Sequence, residues 1–171
     1  MKNVTAIQLV SKYQITQTVI ILAATMILPV LVHLLPNFNG QLAGAVLLPI
    51  FLAPMFAAFM YKKHVAILAG IFAPLFNFLI MGRPAPEMVI TLGFEIVLFA
   101  LLLSWLKNIK GIQYIAAPLS HLISSFAVVA GLSLLGTQAN PVAFWLSSTT
   151  IAIPGILLMA VANLVFLRFQ K

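Results

Sequence analysis

The sequence predicts an all-α polytopic membrane protein, a compact bundle of six transmembrane helices with both termini in the cytoplasm. Three observations predict it. First, 63% of the 171 residues are hydrophobic and 6% are charged, whereas a soluble domain carries roughly 25% charged residues. Charge at that level cannot cover a water-facing surface, so lipid must solvate much of the chain. Second, the apolar residues form six runs, near 18–35, 42–61, 64–81, 88–106, 113–135 and 142–167, and none contains an internal Lys or Arg. A spanning helix needs about 20 mostly apolar residues. Third, the basic residues segregate. Lys2, Lys12, Lys62, Lys63, Lys107, Lys110, Arg168 and Lys171 alternate onto one side and only Arg83 onto the other, which by the positive-inside rule makes the crowded side cytoplasmic.

The first run follows a polar N-terminal stretch and shows no small-residue cleavage site, so it reads as a retained span. Every run is continuously apolar and lacks the alternation of a barrel strand. The connections are short and rich in turn residues: Pro36 to Gln41, the Lys62–Lys63 pair, Gly82 to Glu87, Lys107 to Ile112, and Gly136 to Pro141. Short connections make successive spans antiparallel neighbours. Tyr13, Tyr61, Trp105 and Tyr114 fall at the inner boundary and Trp145 near the outer one, the depths amphipathic aromatics favour. Pro29, Pro49, Pro54, Pro74, Pro118 and Pro154 lie inside the runs, and each removes a backbone donor. Small residues recur four apart at Gly40/Gly44, Ala53/Ala57, Ala66/Gly70 and Ala69/Ala73. That spacing serves close packing, either within the bundle or against a partner membrane subunit.

The formal charge of +7 does not indicate nucleic acid, because the bases are scattered in ones and twos with no basic stripe. With no cysteine and no aspartate, thiolate metal sites, disulfides and Asp-based triads are excluded. Neither a phosphate-binding Gly-x-x-x-x-Gly-Lys loop nor a His-Glu-x-x-His pair occurs. No metal, no cofactor and no catalytic residue is therefore assigned, and the chain does not read as an enzyme. The candidate binding residues are the rare polar ones at depth and in the outer loops. Glu95 and His121 each lie eight residues inside their spans, roughly 12 Å deep at about 1.5 Å per residue, so they are placed to meet near the midplane. Asn77 sits one turn inside the outer end of the third span. Arg83, on a proline-stiffened turn with Glu87, suits a carboxylate or phosphate or a simple surface pair with Glu87. Asn37, Asn39 and Gln41 form the first outer loop, with His33 just below as a candidate for ligation or a plain hydrogen bond.

The middle of the chain resembles the substrate-binding S components of energy-coupling factor (ECF) transporters. The stretch Leu47-Leu-Pro-Ile-Phe-Leu-Ala-Pro resembles that family's Leu-Pro second helix. Ala73-Pro-Leu-Phe-Asn-Phe-Leu79 matches its Ala-Pro-Leu-x-x-Phe-Leu third helix, Gly82-Arg-Pro84 its Gly-x-Pro outer turn, and Glu95 its fourth-helix glutamate. The resemblance implies a six-helix plasma-membrane protein that captures a vitamin or similar micronutrient at the outer face. It would work with a transmembrane coupling subunit and two cytoplasmic ATPases. It further implies a pocket built from the later helices and capped by the first and third connections, both on the outer side. Asn37, Asn39 and Gln41 would then lie in one cap, Arg83 and Glu87 in the other, Glu95 and His121 beneath, and Trp145 at the start of the last helix. The sequence departs from the family at the Ala-x-x-x-Ala docking motif of the first helix: Ala23 and Ala24 are followed four residues on by Ile27 and Leu28. The residues taken alone also admit a non-transport scaffold of the cell envelope, or a small membrane enzyme using Glu95 and His121. Abundant Phe and Met suit a flat, partly apolar ligand such as an aromatic vitamin or a porphyrin.

Overall fold

In the computed structural model, residues 12–38, 40–136 and 140–169 are described. These residues are helical apart from short connections, with no strand among them. The helices are α1 (Lys12–His33), α2 (Ala43–Leu47), α3 (Pro49–Met60), α4 (Lys63–Met81), α5 (Pro86–Leu106), α6 (Ala116–Leu134), α7 (Pro141–Ile151) and α8 (Ile153–Phe169). A 3-10 turn, Ile112–Ile115, leads into α6. Five stretches are long and apolar enough to cross a bilayer, and the bent pair α7–α8 makes a sixth if counted as one span. Their outward faces are apolar: Leu79, Ile90, Phe94, Leu134, Leu157 and Val161 are all exposed. Monomeric soluble proteins do not leave such a continuous apolar surface open.

Two expected helices are broken, both at a proline. The run 42–61 divides at Leu48, whose φ of 51° and ψ of 43° are left-handed. Pro49 explains the position, because a proline disfavours right-handed helix in the residue before it and is itself suited to open a helix. The run 142–167 divides at Ala152, where α7 and α8 meet at 66°. Pro154 has no N–H for the Thr150 carbonyl and its ring crowds that oxygen, yet it is harmless in the first turn of α8. As a result α7 leans away. None of its residues is buried, and it packs chiefly on α6.

The core runs through α3, α4, α5, α6 and α8, around Phe51, Met55, Phe99, Leu103 and Met159. The small residues at four-residue spacing are internal: Ala53, Ala57, Ala66, Ala69 and Ala73 are all buried. Of the two uses that spacing serves, this is packing within the bundle. A Cβ at Gly70 would lie 3.0 Å from the Val97 nitrogen, so α4 and α5 pack almost backbone to backbone.

Two of the remaining prolines, Pro29 and Pro118, leave carbonyls without intrahelical partners that side chains from other helices supply. Pro29 cannot donate to the Thr25 carbonyl; the Asn77 amide of α4 does so at 3.0 Å. Pro118 cannot donate to the Tyr114 carbonyl; the Asn163 amide of α8 does so, also at 3.0 Å. Asn163 additionally donates to Gln113 O at 2.9 Å and accepts from Ala117 N at 3.0 Å. At the opposite end of α3 from Leu48, Lys107 Nζ donates to Ala58 O at 2.6 Å and lies 5.6 Å from the Phe59 ring centroid. A cation on the last carbonyls of a helix is favourable, and partial burial lowers the Lys107 pKa from its ordinary value.

Candidate functional site

The end of the bundle that carries Arg83 holds a cavity of about 500 Å³. Its walls are mostly apolar and come from five helices: Pro29 of α1, Ala45 of α2, Phe51 of α3, Asn77 of α4, and Met88 and Leu92 of α5, with Leu48 at the α2–α3 break. The three polar side chains among the lining residues are His33, Asn77 and Arg83. Size and chemistry are those of a small-molecule site, where a few polar groups orient a mostly apolar ligand. A second cavity of about 350 Å³ adjoins it, lined by His33, Leu35, Asn37, Leu42, Ala43, Met81 and Arg83. His33 and Arg83 line both and so join them.

Local structure explains how each polar group arrives there. Gly82 ends α4 with φ 64° and donates to Phe78 O at 2.8 Å. That left-handed cap, natural for glycine, turns the chain so that Arg83 stands over the cavity rim. His33 closes α1, and its ring lies on Gly44: a Cβ there would come within 2.8 Å of the imidazole Cε1. Asn77 is fixed from two sides. Its amide nitrogen donates to Ala73 O at 2.7 Å and to Thr25 O at 3.0 Å. Its Oδ1 is buried with no hydrogen-bond partner among the described residues.

The structure thus brings together Asn37, Asn77 and Arg83 with His33, the candidate beneath the first outer loop. Gln41 is tied by its backbone, in paired bonds of 2.9 Å and 2.8 Å with Phe38, and lines neither cavity. Asn39 lies outside the described residues. Glu87 is exposed in the first turn of α5 and lines neither cavity; no ion pair joins it to Arg83 among the described residues.

Glu95 and His121 do meet, as their depths predict, with Oε1 and Nδ1 3.5 Å apart. That separation suits an ion pair, but the contact lacks hydrogen-bond geometry and His121 Nδ1 has no hydrogen-bond partner. Neither residue lines either cavity, but Phe51 touches both His121 and the larger one. Its ring lines the cavity and lies edge-on to His121 at 4.8 Å. Trp145 is elsewhere, donating from Nε1 to Ser125 Oγ at 2.9 Å and stacking edge-on with Phe126.

No protein family, curated protein or solved structure matches the chain. The site is therefore read from its own geometry.

That geometry centres on α1–α5, not on the later helices that the ECF resemblance implies. The apolar lining was not evident from sequence, since Pro29, Leu48 and Leu92 are ordinary span residues; Pro49, a helix opener after Leu48, is the one signal of the break that shapes the wall. Among the described residues, no three of His, Asp and Glu gather to hold a metal. The arrangement offers a cation at the mouth, an apolar throat and a fixed amide within, which is equipment for recognition.

Proposed function

We propose that this protein is the membrane-embedded substrate-binding subunit of an ECF-type importer, capturing a micronutrient at the outer face of the plasma membrane. The cavity beneath Arg83 carries this reading: a concave, apolar-walled space with a permanent cation at its rim. A scaffold needs no such space. α7 and α8 together form the sixth span, both termini face the cytoplasm, and Lys107 belongs to the inner end. The chain has no phosphate-binding loop, so ATP hydrolysis falls to two cytoplasmic ATPases acting through a transmembrane coupling subunit.

The test is to purify the tagged chain gently and analyse it by native mass spectrometry. A small molecule should accompany the chain and be lost from Ala45→Trp, which fills the cavity from its exposed edge. Arg83→Ala should weaken rebinding about tenfold or more, the usual loss for a hydrogen bond to a charged group. An ATPase pair and a coupling subunit should co-purify with both variants. Absence of any small molecule, with no ATPase retained, would remove the importer reading.

A further inference from the structure

The end of the bundle opposite the cavities carries a surface that the importer reading does not use. Three separate stretches bring cations to it. Lys62 and Lys63 lie where α3 gives way to α4, Lys107 and Lys110 lie between α5 and the 3-10 turn, and Arg168 is in the last turn of α8.

Side-chain contacts draw these stretches together. The Lys107 ammonium donates to Ala58 O at 2.6 Å, four residues before Lys62, and lies 5.6 Å from the Phe59 ring centroid. The Phe166 ring, two residues before Arg168, packs 5.9 Å from Phe59 and 5.3 Å from Phe56. Asn163 ties α8 to Gln113 and Tyr114, just after Lys110. Bases scattered in sequence thus gather around one end of α3. Lys62, Lys63, Lys110 and Arg168 are exposed there.

No acidic side chain offsets them. The chain has two acidic residues. Glu87 opens α5 at the other end, and Glu95 faces His121 within the bundle. Gathered like charges repel one another, so an anion bound among them gains its own attraction and relieves that repulsion.

The surroundings of the cations select the anion. Trp105, two residues before Lys107, is exposed, as are Tyr114 and Ile115 after Lys110 and Phe169 beside Arg168. Trp and Tyr favour the headgroup level of a bilayer, and these lie at the ends of helices long and apolar enough to cross one. Cations interleaved with exposed rings match a molecule anionic at one end and apolar at the other. A soluble polyanion would use the cations and leave the rings without a partner.

We infer that this end of the bundle is a binding site for an anionic phospholipid, its phosphate among the gathered cations and its acyl chains beside Trp105 and Tyr114. Lys107 is a positioning residue: its bond to Ala58 O holds the α5–α6 connection against α3. The site differs from the diffuse pull of a charged leaflet on separate bases, because the fold assembles its charges in one place. It holds whichever leaflet this end faces, and it does not rest on the importer reading.

The test uses the full chain in detergent, with binding read by native mass spectrometry. The probes are dioctanoyl phosphatidylglycerol, dioctanoyl phosphatidylcholine, glycerol 1-phosphate and a polyglutamate peptide. Each base near a membrane surface is worth roughly fivefold in affinity for anionic lipid. The phosphatidylglycerol should therefore bind about tenfold or more tighter than the phosphatidylcholine, and its binding should saturate. Lys62→Gln/Lys110→Gln should remove most of that preference, and Lys62→Arg/Lys110→Arg should keep it. Glycerol 1-phosphate should bind far more weakly, since it lacks the chains.

Equal binding of the two lipids, binding that never saturates, or a preference unchanged in the glutamine variant would each overturn the inference. Glycerol 1-phosphate or polyglutamate binding as tightly as the lipid would assign the cations to a soluble anion or an acidic protein segment, and would overturn it too. Should the glutamine variant fail to fold, the headgroup comparison on the unaltered chain decides. None of these outcomes touches the Arg83 cavity, so the importer reading stands or falls by its own test.

Discussion

Asn163 shows how much one residue carries in this bundle. It is fully buried, and its three bonds satisfy Ala117 N, Gln113 O and Tyr114 O where Pro118 interrupts the ladder. Single interhelical hydrogen bonds in membranes contribute about 0.6 kcal/mol on average, so Asn163→Leu should cost on the order of 2 kcal/mol. The loss should appear as a lowered unfolding midpoint in detergent. A sharper prediction concerns the pair. Pro118→Ala restores an N–H to the Tyr114 carbonyl, so Asn163→Leu should cost less in that background; strictly additive effects would refute the proline–asparagine coupling. Asn77 repeats the arrangement with Pro29. Asn77 stood out in the sequence as a polar residue near a loop, whereas Asn163, deep in the last apolar run, did not. The unread signal was the combination of a mid-span proline on one helix with a mid-span asparagine on another. Sequence alone does not say which helices are neighbours.

At the scale of elements, the spans were legible and their breaks were not. Six prolines lie inside apolar runs, and only Pro49 and Pro154 coincide with a division of the helix. Pro118 falls in the first turn of α6, and the Tyr114 carbonyl it leaves free is taken by Asn163. The helix α1 continues past Pro29 with its freed carbonyl taken by Asn77. Which prolines divide a span thus depends on what neighbouring helices offer. The α2–α8 contact shows the same dependence. A Cβ at Gly155 would fall 2.7 Å from the Leu47 carbonyl carbon and 2.8 Å from Val46 O, contacts with backbone that cannot yield. Gly155→Ala should therefore destabilise by about 1–3 kcal/mol, the usual range for overpacking. Gly131→Ala on α6, with nothing within 4 Å, should be neutral or slightly stabilising, since alanine is the better helix former. Thermal midpoints of the two variants, measured side by side, separate a close-packed glycine from an incidental one; equal midpoints would contradict the α2–α8 contact.

At the scale of the whole molecule, charge and geometry together define two ends. Arg83, His33 and Asn37 gather around the cavities at one end. Lys107 is bonded to the far end of α3. Residue types predicted the polar end, but not its composition: depth correctly paired Glu95 with His121, yet neither lines the cavity. Which end faces the cytoplasm is predicted by the basic bias alone, and the absence of native cysteine makes it directly measurable. Gln41 and Lys110 are both exposed and lie at opposite ends, so each accepts a cysteine with little structural consequence. In intact cells a membrane-impermeant thiol reagent should label Gln41→Cys, and should reach Lys110→Cys only after permeabilisation. Anionic lipid on the inner leaflet attracts each juxtamembrane base by about 1 kcal/mol, so reversing the bundle would forfeit that attraction for Lys62, Lys63, Lys107, Lys110 and Arg168 and recover it for Arg83 alone. Labelling in the opposite order would mean that the Arg83 cavity opens to the cytoplasm, and uptake from outside could not begin there.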